Sequence, residues 1–343
     1  MRKKFLVLCI FLIICLKATS QETGSCAENL KNAQMLFAKG QVEQVPNLCK
    51  GCLSSGFTRE EALDAYKLLI QTYLLEDRLE QADSLMLAFL KKNPEYEVSP
   101  TDHSSFVSLF NNFSSKIVLQ TSLHIGSNIP FVIVTSHNSV MGTPGEKDYS
   151  TEAFNLFLAA DVRYKLSRKI EVMAELGYSQ FLFSNSEILS GFAITTSKEY
   201  QKRIELPLSI TYDLARIGIF TPYIRAGSGP AVNFSTYSKT DYTPKDRLPD
   251  DRQGNQIDLS DRRIFMDIIL HAGGGIKIKT RQGFIFGEVR SNLGCINQTV
   301  VSDFAQTDDD YTWFFMHGDD RFRLNTLNIN FGYTRIFYKP SKK

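Results

Sequence analysis

Arg203-Ile204-Glu205-Leu206-Pro207-Leu208-Ser209-Ile210-Thr211-Tyr212-Asp213-Leu214 is the stretch that decides the fold. Read with period two, Ile204, Leu206, Leu208, Ile210, Tyr212 and Leu214 share one face, and Arg203, Glu205, Ser209, Thr211 and Asp213 share the other. Successive side chains of a strand point to opposite faces, so sustained alternation of this kind predicts a strand with one apolar and one polar side. Its length, about ten residues, is what a tilted strand needs to cross a bilayer.

The same pattern recurs on both sides of it. Residues 170–179 set Ile170, Val172, Ala174, Leu176 and Tyr178 against Glu171, Glu175 and Ser179. Residues 264–279 set Ile264, Met266, Ile268, Leu270, Ala272, Ile276 and Ile278 against Asp267, His271, Lys277 and Lys279. Residues 325–337 set Leu327, Ile329, Phe331, Tyr333 and Phe337 against Asn328, Asn330, Gly332 and Thr334. Segments 117–126, 154–165, 217–234 and 284–296 fit the pattern less cleanly, and with them residues 116–343 hold eight predicted strands.

Between these strands, 127–152, 182–200, 235–261 and 297–320 are long, and the turns at Ser167, Asp213–Arg216 and Thr280–Gly283 are short. Regular alternation of long and short connections is expected of an outer-membrane barrel with long loops outside and short turns in the periplasm. The strands running toward the short turns end in Tyr164, Tyr212, and Phe337 with Tyr338, as an interfacial girdle would. Closure into a barrel also removes the edges through which so apolar a sheet would aggregate. The expected fold is therefore mainly β, an eight-stranded antiparallel transmembrane barrel.

Composition agrees. Lys and Arg number 39 against 37 Asp and Glu, which excludes the strong basic excess of a nucleic-acid binder. Of the aromatic residues 25 are Phe, 14 Tyr and one Trp, a profile suited to a sheet with interfacial rings. Arg2, Lys3 and Lys4, the apolar run Phe5–Leu16 and the small pair Ala18 and Ser20 read as a secretory signal peptide over residues 1–20. Its removal takes four cations, leaving the mature chain with 35 against 37. Cys26, Cys49, Cys52 and Cys295 then remain in an oxidising compartment, where Cys26 is expected to bridge either Cys49 or Cys52.

Residues 21–115 read with helical period instead. Ala62, Tyr66, Leu69, Ile70 and Tyr73 make one apolar stripe, and Leu79, Ala82, Met86, Phe89 and Leu90 a second that Pro94 ends. Tyr66, Leu69, Tyr73, Leu79, Ala82 and Pro94 stand at signature spacings of the tetratricopeptide repeat, which this pair resembles. It departs from the repeat at Asp77, where Gly is favoured, and at Phe89, where Ala is. A more divergent copy precedes it, with Ala33, Leu36, Gly40, Val42 and Val45. The resemblance implies a small all-α domain that binds protein partners, with Tyr66, Leu69, Tyr73, Ala82 and Phe89 as its partner-binding residues.

Arg203-Ile204-Glu205-Leu206-Pro207-Leu208, Tyr223-Ile224-Arg225-Ala226-Gly227, Ala272-Gly273-Gly274-Gly275, Glu288-Val289-Arg290 and Asn330-Phe331-Gly332-Tyr333 are similar in order and spacing to successive strands of the PorT family of outer-membrane barrels of the Bacteroidetes. This resemblance covers residues 116–338. It implies an eight-stranded barrel and, for some members, a part in protein secretion across the outer membrane. Arg335 breaks the alternating C-terminal pattern that the family favours.

The inward positions carry Gln120, His124, Asp161, Arg163, Glu171, Glu175, Arg203, Glu205, Arg225, Asp267, His271, Lys277, Glu288 and Arg290. Eight strands leave an interior just wide enough for side chains, so these charges are expected to pair into a plug. Gly273–Gly275 would let the wall bend or long Arg side chains cross. An enzyme would need a His with a carboxylate and a nucleophile at the rim. His137 and His317, near Ser136, Ser139, Asp319 and Asp320, are the candidates, and the expectation is that the chain is not an enzyme and holds no cofactor or metal. The acidic loop with Asp303, Asp308, Asp309, Asp310, Asp319 and Asp320 does not have EF-hand spacing and reads as solvated, and 235–261, with Pro244, Pro249 and Gly254, as mobile surface. Asp83-Ser84-Leu85 has the form of a short glycosylation signal in a position read as helical. Residues 21–115 carry 13 acids against 8 bases, an acidic face suited to a basic partner.

The expected whole is an outer-membrane anchor or scaffold subunit, non-enzymatic, with a protein-binding helical domain in the periplasm. Its partners are outer-membrane lipid and other outer-membrane or periplasmic proteins, not nucleic acid. The competing expectation is a surface-exposed binding or adhesion barrel acting through its long loops.

Overall fold

The computed structural model describes residues 23–140, 146–151, 155–245, 252–300, 312 and 314–343, so the expected signal peptide lies outside the described residues. The chain divides into two compact units, one running to Lys116 and including Tyr338–Lys343, the other spanning Ile117–Phe337.

The first unit is helical. It contains α1 (Thr23–Ala38), α2 (Val45–Cys49), α3 (Arg59–Leu75), α4 (Leu79–Lys92) and α5 (Ser104–Phe110). Thr58 starts α3 with a capping box, its hydroxyl accepting from the Glu61 amide and the Glu61 carboxylate from its own, worth about 1 kcal/mol. Between α3 and α4, Asp77 takes a positive φ of 58°, the conformation for which the repeat favours glycine. The preceding helix pair is not a full hairpin. Pro46 and Gly51 break what would be its second helix into α2 and flanking 3₁₀ turns, because proline lacks an amide donor and glycine holds a helix poorly.

The five residues expected to bind a partner are packed inside instead. Tyr66, Leu69, Tyr73, Ala82 and Phe89 are all buried. Phe89 is ringed edge-on by Tyr96 at 5.0 Å, Phe106 at 5.6 Å and Tyr66 at 6.1 Å. These are positions where α3 and α4 interlock, so they make core. Asp102 ties α3 to the following loop, accepting from Lys67 (2.6 Å), Tyr96 (2.5 Å) and the Ser99 amide (2.8 Å). The C-terminal residues belong to this unit and not to the barrel: Tyr338 bonds Glu95, Lys342 pairs with Asp83, and the Lys343 amide donates to the Asn112 carbonyl. Tyr338 is thus no part of the girdle, whereas Tyr164, Tyr212 and Phe337 are exposed.

The second unit is a closed ring. Its long strands are β1 (Phe113–Ser136), β3 (Asn155–Lys165), β4 (Ile170–Leu189), β5 (Ala193–Glu205), β6 (Leu208–Asp213), β7 (Phe220–Pro244), β10 (Met266–Lys279), β11 (Gly283–Gly294) and β12 (Arg321–Lys342). Three short strands, β2 (Glu146–Thr151), β8 (Arg252–Gln253) and β9 (Ile257–Asp258), pair with β4 or β7. Around the ring β1 pairs with β3, β3 with β4, β4 with β5 and β6, both of these with β7, β7 with β10, β10 with β11, β11 with β12 and β12 with β1. The stretch 203–214 is thus two halves of one stave. Pro207 lacks the ladder donor and separates β5 from β6, so eight staves close the ring.

Short turns join β3 to β4, β6 to β7 and β10 to β11, as expected. The opposite side differs from expectation. Segment 182–200 is not a long loop but a hairpin of β4 and β5 closed tightly at Ser190 and Gly191, both with positive φ. Within segment 235–261, expected as mobile surface, β7 runs to Pro244, and β8 and β9 pair back onto β7. Long staves therefore stand well beyond the apolar band. Exposed apolar residues such as Leu123, Ile125, Val162, Leu176, Leu208, Ile210, Leu270 and Phe331 face outward, while Asn, Ser, Thr and charged side chains face in. This inverts the ordinary sorting of a water-soluble sheet.

Two outcomes follow for the helical unit. Cys26 is bridged to Cys52, and Cys49 remains a buried thiol that burial pushes up to about 11. Alkylation of the native protein should leave Cys49 almost unreacted, and Cys26→Ser should lower stability by about 2–4 kcal/mol in denaturant titration. Burial would raise the Asp102 carboxyl, but the bonds from Lys67, Tyr96 and Ser99 outweigh it and hold it below the usual carboxylate range. A carboxyl lowered on folding stabilises above its unfolded pKa and loses that effect as pH falls through the folded one. Acid titration of the unfolding midpoint should therefore be flatter in Asp102→Asn than in the native chain.

Candidate functional site

The interior of the ring gathers the inward positions of all eight staves. Asp161, Arg163, Glu171, Glu175, Arg203, Glu205, Arg225, Asp267, His271, Lys277, Glu288 and Arg290 are all buried, as are Gln120 and His124. Glu175 on β4 is the hub. It accepts from Arg290 Nη1 (2.9 Å) on β11, the stave diametrically opposite, and from Arg225 Nη2 (2.8 Å) on β7. Arg225 also donates through Nη1 to Glu288 (3.1 Å), which takes the Tyr223 hydroxyl at 2.8 Å.

Toward the short turns, Lys277 lies between Glu171 (2.8 Å) and Asp213 (2.7 Å), and Gln120 donates to Glu171 (3.1 Å). Beside them Arg163 grips Asp161 through Nε (2.8 Å) and Nη2 (3.1 Å), and Ser122 donates to the same carboxylate at 2.9 Å. Toward the other end Arg203 is held by the amide oxygens of Asn233 (2.9 Å) and Gln298 (3.3 Å), and Gln298 donates to Asp267 (2.9 Å). Glu205 accepts from Ser179 at 3.0 Å, and His271 Nε2 meets the Ser209 hydroxyl at 2.9 Å.

Aromatic faces complete the packing. Arg163 lies over Phe286 (4.7 Å), Arg290 over Phe157 (5.3 Å), Arg203 over Phe181 (5.2 Å) and Lys277 over Tyr223 (5.1 Å). These rings and the inward Ser122, Asn233 and Gln298 escaped the charge-centred reading, although the strand residues among them share the parity of the charges. Glycine makes room for this contents. A Cβ at Gly273 would come within 3.0 Å of the Arg290 side chain, and one at Gly275 within 2.8 Å of the Tyr223 ring.

His124, Asp161 and Glu175 bring three potential metal-ligand atoms within 4.8 Å of one another, His124 Nε2 being 3.2 Å from Asp161 and 3.7 Å from Glu175. Arg163, Arg225 and Arg290 already occupy these carboxylates, so a dication here would face three guanidiniums. The arrangement serves as an electrostatic lock between staves.

A second polar cluster sits at the far ends of the staves. Asp320 is buried and accepts from the Asn138 amide (2.7 Å), Lys147 Nζ (2.8 Å) and the Tyr149 hydroxyl (2.9 Å), with His137 Nδ1 at 3.3 Å. Arg263 clasps Glu199 (2.8 and 2.7 Å) and Asp319 (2.6 and 2.9 Å) with paired bonds. Asp319 and Asp320 are therefore not solvated loop acids but the pins that fasten the outer connections. Burial alone would raise the Asp319 carboxyl, but Arg263 holds it below the usual range. Burial pushes the His317 imidazole down to about 4, so it is neutral at pH 7. Of the rim enzyme candidates, the structure joins His137 to Asp320, whose oxygens are committed to Lys147, Tyr149 and Asn138, and buries His317. Asp303, Asp308, Asp309 and Asp310 lie outside the described residues.

No protein-family model matches the chain. No curated protein sequence matches it either. Among solved structures it is similar to Neisserial surface protein A, at 13% identity over 64% of this chain and 98% of that one, with a TM-score of 0.31. It is also similar to the outer membrane protein AlkL (14%, 71% and 96%, 0.37) and to the outer membrane protease OmpT of Escherichia coli (9%, 64% and 96%, 0.38).

Proposed function

We propose that the chain is an outer-membrane barrel that does not conduct, and that it anchors a protein-binding helical domain in the periplasm as a scaffold subunit of a larger assembly. The observation that carries this reading is the Arg290–Glu175 pair, which reaches across the full diameter of the ring with Arg225 and Lys277 beside it. A lumen bridged in this way leaves the apolar outside as the working surface of the barrel, and that surface suits lipid. The resemblance of residues 116–338 to PorT barrels supports a place in an outer-membrane assembly, protein secretion among the possibilities. The exposed acids of the helical unit, among them Glu28, Glu43, Glu60, Asp64 and Glu80, support a basic protein partner there.

A second reading is favoured by the rim. Asp320 and Arg263 fasten connections that an anchor alone has no need to order, and a binding surface facing outward would need them ordered. The two readings separate on deletion of residues 138–150: both keep periplasmic partners in mild-detergent co-purification, but an adhesion module loses surface attachment and an anchor does not.

Planar-bilayer recording of the purified chain should show no steps of porin size, and regular large openings would overturn the plug. Glu175→Ala should leave Arg225 and Arg290 without their shared carboxylate. Removing one partner of a buried ion pair costs about 3–5 kcal/mol, so the temperature at which gel mobility shifts from folded to unfolded should drop markedly. Co-purification from crosslinked cells should retain a partner in the full chain and lose it when residues 23–112 are removed; a barrel that always runs alone would refute the scaffold.

A further inference from the structure

The outer wall over β3 is not flat. Cross-strand register defines its rows. Thr121, Val162 and Ala174 form one row, and Leu208 continues it on β6. Leu123, Ala160 and Leu176 form the next, farther from the short turns. These residues point outward, because Gln120, Ser122, Asp161, Arg163 and Glu175, which alternate with them, are buried inside. Ala160 and Ala174 stand diagonally across the two rows, and the exposed Leu123, Val162, Leu176 and Leu208 stand beside them. A methyl group among leucine and valine side chains leaves a depression. Two hollows of about 670 and 790 Å³ share Leu123, Ala160 and Leu176, so they run together as one groove along the wall.

One end of the groove is charged. Arg335 and Thr121 both line it there. Arg335 lies opposite Gly283, the first residue of β11 after a short turn, so it stands at the turn-side edge of the wall. Its guanidinium lies over the Phe337 ring at 5.4 Å, leaning toward the same edge. Along the outward positions of 119–125, 156–164, 170–178, 285–293 and 327–337, Arg335 is the one charged residue. The adjoining turn, Thr280 to Gln282, adds the cation Arg281 and no acid. The carboxylates behind the wall, Asp161 and Glu175, face inward and are taken by Arg163, Arg225 and Arg290. A cation at the edge of an apolar wall, continuous with an apolar groove, suits an amphiphile with an anionic head and a hydrocarbon tail.

We propose that this groove seats one anionic glycerophospholipid of the leaflet on the short-turn side, with its phosphate on Arg335 and Thr121 and an acyl chain over Ala174 and Ala160. A lipid with a single net negative charge matches the lone cation, whereas a zwitterionic headgroup brings its own ammonium. A free phosphate would leave the groove unfilled. A second copy of this chain meeting the wall by two-fold symmetry would set Arg335 against a wall with the same cation and no acid. The proposal rests on the membrane-barrel reading.

The test uses the full mature chain in phosphatidylcholine vesicles with and without phosphatidylglycerol, followed by native mass spectrometry of retained lipid. The native chain should retain one phosphatidylglycerol in preference to phosphatidylcholine. R335Q should lower that preference about fivefold, the worth of one basic residue near an anionic surface, and R335K should keep it. A160L/A174L keeps the charge but fills the groove, so it should lose the preference as well. Excess glycerol phosphate should not displace the lipid. No preference in the native chain, equal retention in R335Q, unchanged retention in A160L/A174L, displacement by glycerol phosphate, or a lipid-free dimer would each overturn the proposal. Variants are scored after heat-modifiable gel mobility shows them folded, and A174L serves alone if the double variant does not fold. Failure of the native chain to insert into either vesicle would instead sink the membrane reading.

Discussion

An eight-stave ring has an interior filled by its own side chains, so a charge placed inside must be neutralised from across the ring. Glu175 shows what this requires. Its partners come from β7 and β11, 50 and 115 residues along the chain, and its pairing is satisfied only when the ring is closed and in register. Slipping one strand by one residue would turn its inward charges into the apolar exterior and leave their partners buried alone. The interior thus opposes mispairing far more strongly than the hydrophobic face does. A slipped apolar face is still apolar in patches, whereas an orphaned guanidinium costs several kcal/mol.

The same constraint explains where small residues fall. Tyr223 is too large to share its level of a narrow interior with another full side chain, and Gly275 stands against its ring, while Gly273 lets the β11 backbone at Val289 and Arg290 come close. Aromatic faces then cover the sides of the guanidiniums that the carboxylates leave open, as Phe157 does for Arg290 and Phe286 for Arg163. The resulting interior is ionic and aromatic together. Arg163, Arg290 and Lys277 each have an anion on one side and a π-face on another, which lets the interior carry high charge.

Period two made the two faces legible in sequence, and with them the inward charges of 116–179 and 203–296, because parity along a strand is a local property; Glu187 and Glu199, inside the hairpin, were missed. The partners were not legible. Whether Arg290 meets Glu175 or Glu171 depends on the stagger between staves, which no single strand encodes. The hairpin over 182–200 was read as a loop because both of its faces are polar there: Ser184 and Ser186 alternate with Asn185 and Glu187, and no apolar contrast marks the strand. Asp319 and Asp320 were read as solvated because their cations, Arg263 and Lys147, lie far away in the chain. The tetratricopeptide-like spacing around Tyr66 and Phe89 was legible, but it reports where helices interlock, so it identified core in place of a binding face.

That last distinction bears on how the proposed scaffold would hold a partner. With Tyr66, Leu69, Tyr73, Ala82 and Phe89 consumed by packing, little large apolar surface remains on α3 and α4 beyond Leu75 and Leu79 at their junction. A partner held there must therefore be recognised mainly through the exposed acids. Exposed charges give on-rate and orientation more than affinity, and their effect fades with salt over roughly 10 Å at 0.1 M. Tight retention of a partner by such a face needs either many charges on the partner or a second contact made at the membrane, and a barrel that fixes the domain at one surface supplies the latter by raising the local concentration of anything else anchored there.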